Sequence, residues 1–367
     1  MRAAVLHEVG APLRLEDLTL EGPRAGEVQV RIEAAGVCHS DYHYMTGDLR
    51  CPLPAVLGHE GAGVVEAVGA GVERVGPGDT VAMLWRPRCV QCQYCLTGQP
   101  VQCVLGRVQA STGGLPDDGT TRLSLDGHEV HHLMGVSCFA EQVVVSEKSV
   151  VAVPDGVPLR VAAITGCAVI TGVGAVLNVV GECAGRSLLV LGAGGVGLSA
   201  VMGARLAGAE PIVVTDLDDA KLELAKSLGA THVVNAGRED VVEAVMAAVP
   251  DGVEWAIEAV GGAATLQQSI ACLRPGGTTV AVGIARVGAT FEIPINELVQ
   301  RQKSVVGSLY GSANPLVDLP RLFRLYLAGR LPLDALVGAD YPLESVNEAY
   351  AALADGAVGR AVVVPGR

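Results

Sequence analysis

The sequence predicts an α/β chain in two domains, a doubly wound parallel sheet in the second half and a mainly β domain in the first. Three observations carry this. After residue 170, strand-type and helix-type runs alternate at the spacing of βαβ units. Before it, short β-type runs are separated by turn residues. Half the residues are hydrophobic but only 3% are aromatic, so Val, Ala, Leu and Gly must do the packing, which suits parallel strands covered by helices. The length, 367 residues, is natural for two domains, since a domain runs roughly 100–200 residues.

In the first half the strand runs are 28–32, 63–68, 80–83 and 142–145, with turns such as Gly76-Pro77-Gly78-Asp79 between them and no internal repeat. In the second half a strand at 188–191 leads through a glycine turn into a helix at 196–207. A strand at 211–215 and a helix at 219–228 follow. Then come a strand at 231–234, a helix at 241–248, a strand at 255–257, a helix at 264–273, and strands at 278–282 and 304–307. The last part carries helices near 319–328 and 346–353 and a strand at 361–364. The expected division is 1–168, 169–310 and a segment 311–367 that returns to the first domain.

Charge and hydropathy exclude several classes. The formal net charge is −13, so the basic footprint of a nucleic-acid binder is missing and an anionic membrane surface repels the chain. Glu8 interrupts any apolar signal-peptide core. The stretches 161–181 and 187–204 carry no charge. The first is interrupted by Thr165, Gly166, Thr171, Gly172 and Gly174, and the second is a strand, a turn and a helix start, so neither is expected to span a membrane. The expectation is a cytoplasmic protein that acts on small molecules, with no nucleic-acid or membrane partner.

The turn after the 188–191 strand reads Gly192-Ala-Gly194-Gly195-Val196-Gly197, a G-x-G-x-x-G between a strand and a helix. Gly192 permits the tight turn, Gly194 lets the backbone approach a pyrophosphate, and Gly197 lets helix and strand pack closely. The helix N-terminus then offers unpaired N–H groups to phosphate. Asp216 ends the next strand, 24 residues after Gly192, where an acid that binds the adenosine ribose belongs. It also repels a 2′-phosphate, with Asp218 and Asp219 adding to the negative field. NAD is therefore favoured over NADP in this Rossmann-type half.

The chain has ten cysteines. Disulfide scaffolds belong to short secreted chains, so clustered cysteines here point to metal. Cys89, Cys92, Cys95 and Cys103 form C-x2-C-x2-C-x7-C, which can close a tetrahedral structural zinc site. The bacterial ferredoxin run is C-x2-C-x2-C-x3-C-P. Here the last gap is seven and Val104 follows, so an iron–sulfur cluster is disfavoured. Three more segments carry ligand-type residues: Cys38-His39-Ser40-Asp41-Tyr42-His43, Gly58-His59-Glu60 and Gly166-Cys167. None is decisive singly, because a lone buried cysteine is usually a small hydrophobe.

Together, GVCHSD, GHEGAGVVEAVG, the cysteine lobe, TGCAVITGVGAV and GAGGVG resemble the zinc-dependent medium-chain alcohol dehydrogenase family, in the family's order and over nearly the whole chain. Residues 118–145 resemble its longer subgroup, which holds ethanol-type and thiol-dependent formaldehyde dehydrogenases. The resemblance implies a mainly β GroES-like catalytic domain beside the NAD domain, and two zinc ions per chain. It implies that Cys38, His59 and Cys167 bind the catalytic zinc, that Glu60 is an acid able to approach the metal, and that Asp41 orients His59. Asp41 as a plain turn or cap residue stays open. It further implies NAD-dependent oxidation of primary alcohols through a zinc-bound alkoxide and hydride transfer, with a proton relay from Ser40 to His43. His43 as a solvated loop histidine is the alternative.

Toward the cofactor, the resemblance places His39 and Arg360 at the pyrophosphate, Lys221 at the ribose, and Thr171 and Val196 beside the nicotinamide. Lys221 reads equally as a solvated helix lysine. It places Trp85, Leu133 and Met134 around the alcohol, although Trp85 alone reads as readily as core. Arg107 stands where thiol-dependent formaldehyde dehydrogenases grip a thiol's carboxylate. Their acidic stretch before the zinc histidine is not reproduced, since this chain has Gly47-Asp48-Leu49-Arg50-Cys51-Pro52, one residue shorter. That activity is the runner-up, and Arg107 as a surface residue is the bland alternative. An inactive NAD-binding or zinc-storage protein would have lost a ligand, and a zinc-free quinone reductase would lack Cys38, Cys167 and the lobe. Relatives associate through the nucleotide-binding sheet near 304–310, so a homodimer is expected, with a homotetramer as the alternative.

Overall fold

From Ala168 to Ala313 the alternation of the sequence becomes a six-stranded, all-parallel sheet. The computed structural model describes residues 1–366, apart from the side chains of residues 108–110. Across the sheet the strands run His232–Asn235, Ile212–Asp216, Leu188–Leu191, Val253–Glu258, Leu273–Ala281 and Ser304–Gly307. In chain order this is 3-2-1-4-5-6, the doubly wound order, with its reversal between Leu188–Leu191 and Val253–Glu258. Leu188, Leu189, Val190 and Leu191 are all fully buried. Each contributes roughly 1.5–3 kcal/mol of burial, which explains an unbroken apolar run on a strand covered on both faces. The helix Asp219–Leu228 starts where Asp218 accepts from Ala220 N and Lys221 N, an N-cap worth about 1 kcal/mol.

The other unit holds residues 1–167 and those from 314 onward. Two antiparallel-rich sheets of six and seven strands build it. Its long central strand, Glu27–Gly36, pairs with Glu60–Val68, with Gln142–Ser146 and with Arg360–Val364. The last pairing, Val362 opposite Gly36, brings the C-terminal strand into this sheet. Val28, Val30, Ile32, Val65, Val81, Phe139, Val143 and Val363 belong to its apolar core.

Helices also occur in this half, where the sequence suggests only strands. The most consequential is His39–Thr46. Only Asp41 and Met45 are buried on it, so it has no apolar stripe to betray it. Its local marks are an acid in the first turn and Gly47 in the left-handed conformation just past its end.

The uncharged run at 161–181 is helical over Leu159–Val180, so the threonines and glycines do not interrupt it. That helix is long and apolar enough to cross a membrane, but 78% of its apolar window is buried inside the protein. Gly172 allows close packing within the nucleotide unit, since a Cβ there would lie 2.1 Å from Val196 O.

Candidate active site

Cys38, His59, Glu60 and Cys167 bring their ligand atoms within 4.8 Å of one another, and all four are buried. Cys38 follows the central strand and caps the helix His39–Thr46, with its Sγ accepting from Ser40 N at 3.5 Å. Gly58 turns the chain into His59 with φ +88, and a Cβ there would sit 2.8 Å from Phe139 N. Only glycine allows that turn. Gly36 has a similar task, because its missing Cβ leaves the space taken by the Glu60 carboxylate, 2.2 Å away.

Asp41 is fully buried and fixes the His59 ring. Its Oδ1 accepts from His59 Nδ1 at 2.9 Å and from Gly58 N at 3.2 Å. With the proton held on Nδ1, Nε2 keeps its lone pair for a metal, and it faces Cys167 Sγ at 3.3 Å. Burial raises the Asp41 carboxyl, and His59 pulls it back. Glu60 is pushed up to about 7 by burial, against the pull of Arg360. Arg360 donates to both Glu60 oxygens, at 3.0 and 2.6 Å, and to Cys38 Sγ at 3.3 Å. The structure thus places the Arg360 side chain in this cluster. The bond to Cys167, with Arg360 and His59 assisting, pulls the Cys38 thiol well down, while the same bond and burial push Cys167 well up. Two thiols and an imidazole in one buried space conflict unless a cation takes all three, so the donor set fits zinc.

The second cluster is Cys89, Cys92, Cys95 and Cys103, again with ligand atoms within 4.8 Å and all free. Backbone amides turn toward the sulfurs: Cys89 N donates to Cys103 Sγ at 3.2 Å and Cys92 N to Cys89 Sγ at 3.3 Å. Amide donors from Cys95 and Val104 pull Cys92 down to about 6, while burial pushes Cys103 up to about 12. A divalent cation resolves that conflict too, and four thiolates leave it no open position.

In the nucleotide unit, Gly192 has φ +93 and a Cβ on Gly197 would meet Gly192 O at 1.7 Å, while Gly194 faces open space. The helix starts at Gly195, with Gly194 as its N-cap and no side-chain cap. Its first N–H groups are left for a ligand, so the cradle fits a pyrophosphate. Asp216 is half-buried and braces the loop, its Oδ2 accepting from Ala193 N at 2.7 Å and its Oδ1 from Asp218 N at 3.0 Å. Thr171 and Val196 lie on the two helices that Gly172 brings together. Lys221 is half-buried in the first turn of its helix.

Trp85 stands edge-on to His59, with ring centroids 6.0 Å apart. Leu133 is buried, and Met134 is half-buried with φ 51 in the left-handed region. Ser40 and His43 sit one turn apart on the same helix and so share a face. His43 Nδ1 lies 3.1 Å from Asp48 Oδ2. His39 is exposed. Arg107 is drawn to the lobe, donating to Tyr94 Oη at 3.0 Å with its guanidinium 5.3 Å from that ring's centroid. Sequence reasoning missed the Glu60–Arg360 contact because 300 residues separate the partners. It also missed Arg86, whose only signal is its place beside Trp85 in a Trp-Arg-Pro-Arg run.

Comparison with known proteins gives two family-model matches: an alcohol dehydrogenase GroES-like domain over residues 24–155 and a zinc-binding dehydrogenase over residues 195–326. The chain is 40% identical to an NDMA-dependent alcohol dehydrogenase of Amycolatopsis methanolica, covering 99% of this chain and 98% of that one. It is 36% identical to the S-(hydroxymethyl)glutathione dehydrogenase of Paracoccus denitrificans, covering 99% of each. Among solved structures, the benzyl alcohol dehydrogenase of Acinetobacter calcoaceticus superposes with a TM-score of 0.92 at 33% identity, over 99% of this chain and 98% of that one.

Proposed function

The chain belongs to the zinc-dependent medium-chain alcohol dehydrogenase family and is an oxidoreductase, and from that premise we propose that it oxidises primary medium-chain or aromatic alcohols to aldehydes, and runs the reverse, with NAD. The observation that carries the proposal is the buried Cys38–His59–Cys167 set with Asp41 behind His59.

These three residues would hold the catalytic zinc and leave one position for substrate, and the cysteine lobe would hold a second, structural zinc. When bound, zinc supplies Lewis acidity toward the alcohol oxygen, and NAD supplies the hydride acceptor. Asp41 keeps His59 in the ligating tautomer. Arg360 balances the charge of Cys38 and Glu60. The Ser40 hydroxyl can accept a proton and donate its own at once, and His43, one turn further along the helix and backed by Asp48, is the next group able to take the proton. Trp85, Leu133 and Met134 give the alcohol apolar walls. Gly192, Gly194, Gly195, Val196 and Gly197 receive the pyrophosphate, and Asp216 favours NAD by repelling a 2′-phosphate.

A second reading, thiol-dependent formaldehyde oxidation, is supported by Arg107 and by the S-(hydroxymethyl)glutathione dehydrogenase relative. The engagement of Arg107 with Tyr94 weighs against it. We further propose a cytoplasmic homodimer joined through the edge strand Ser304–Gly307, whose residues are largely exposed. A monomer by light scattering would refute the dimer.

The test is NADH formation from benzyl alcohol, from a medium-chain alcohol, and from formaldehyde with and without glutathione or mycothiol. Alcohol turnover without thiol is the expected result. Turnover of formaldehyde only with thiol would move the second reading into first place.

A further inference from the structure

Arg86, Arg88 and Arg107 gather around Trp85 and the cysteine lobe, and among the described residues none of them is paired with a carboxylate. Other arginines without an acidic partner, such as Arg14, Arg50 and Arg330, are exposed, whereas Arg86 and Arg88 are half-buried. The more deeply buried arginines, Arg122 and Arg360, have acidic partners. The Nε atoms of Arg86 and Arg88 are buried and, among the described residues, lack a hydrogen-bond partner. A buried charged donor without an acceptor is costly, so an acceptor from outside the protein is the natural complement.

Arg86 is the best placed of the three. Its guanidinium lies over the Trp85 ring, 5.6 Å from the centroid, and Trp85 in turn stands 6.0 Å from His59. Gly106 makes its slot, since a Cβ at that position would lie 2.2 Å from Arg86 Nη1. A stacked, half-buried guanidinium is pre-organised and presents its fork in one plane, which matches the two oxygens of a carboxylate.

We propose that Arg86, stacked on Trp85, is a specificity-determining residue that binds a carboxylate on the substrate. The inference rests on the alcohol dehydrogenase reading above and narrows its substrate class to alcohols or aldehydes that carry an acid group away from the reacting carbon. The acid group can belong to the alcohol itself or to a thiol that has added to an aldehyde.

The test uses the zinc-loaded protein with NAD and compares kcat/KM for 4-(hydroxymethyl)benzoate, benzyl alcohol and the glutathione adduct of formaldehyde. Wild type is expected to prefer the carboxylated alcohol or the adduct, and whichever it prefers identifies the source of the acid. In Arg86→Gln the ratio of that substrate to benzyl alcohol falls about 10- to 100-fold, and Arg86→Lys retains part of it. A ratio near one in wild type, or one unchanged in Arg86→Gln, overturns the inference and leaves the alcohol dehydrogenase reading in place. So does loss of lobe zinc in Arg86→Gln with the ratio intact, which would make Arg86 a charge partner of the thiolates.

Tryptophan fluorescence of the wild type titrated with benzoate and with benzamide reads binding without turnover and needs no variant. Tighter binding of benzoate by wild type supports the subsite even if no alcohol is oxidised. Equal binding of the two overturns it.

Discussion

The two cysteine clusters of the catalytic unit use similar donors in opposite surroundings. At Cys89, Cys92, Cys95 and Cys103, four sulfurs come from one short loop, three of the residues are half-buried, and backbone amides turn toward the sulfurs. At Cys38, His59 and Cys167, three ligands come from distant parts of the chain, all are buried, and Asp41, Glu60 and Arg360 surround them. A closed tetrathiolate is suited to holding a loop that has little core of its own. A three-ligand set with charged neighbours is suited to chemistry, because it leaves a position open and fixes the orientation of its ligands.

The largest expected effect separates these roles. Cys38→Ala should lower kcat for alcohol oxidation by about 10³-fold or more, since it removes a ligand from the Lewis acid. Its melting temperature should change less than that of the lobe variant. Cys95→Ser should act the other way, lowering unfolding stability by more than about 4 kcal/mol in urea titrations, as loss of a structural metal does. If Cys95→Ser were as stable as wild type while Cys38→Ala unfolded, the assignment of roles would be reversed. Asp41→Asn comes next. It keeps the shape but weakens the hold on His59 Nδ1, so activity or zinc affinity should fall about 10- to 100-fold, read by kinetics at varied zinc.

What was legible in the sequence follows the reach of each signal. Strand and helix alternation, the glycine turn and the cysteine spacing are local patterns, and each reappears as an element or a cluster in the structure. The helix His39–Thr46 was hidden because only Asp41 and Met45 are buried on it, which leaves no periodic apolar face to detect. The convergence of Cys38, His59 and Cys167 was reached only through resemblance, because nothing in their spacing shows that they meet. The contact of Arg360 with Glu60 depends on the last strand pairing beside Gly36, a long-range event with no local mark.

The smallest effect sharpens the contrast between two buried histidines. His59 has Asp41 on one nitrogen and a thiol near the other, whereas His132 has a buried Nδ1 with no partner among the described residues and lies close to Arg122. Burial, with Arg122 and His131, pulls His132 down to about 3 from 6.5. The ring is therefore neutral in the folded protein, while the unfolded chain takes up a proton below about pH 6.5. Stability from this site is present above that pH and is lost as pH falls toward 3, at about 1.4 kcal/mol per pH unit. His132→Asn should flatten the acid limb of stability against pH by that slope, measured by urea unfolding across the window. An unchanged limb would show that His132 is not held neutral.

The most direct test of the two-centre account is zinc content of the purified wild-type protein by plasma mass spectrometry, with Cys167→Ser and Cys95→Ser alongside. Two zinc ions per chain are expected in wild type, and one in each variant, with Cys167→Ser inactive toward alcohols. Wild type without zinc, or a Cys167→Ser protein that keeps both ions and full alcohol turnover, would contradict it.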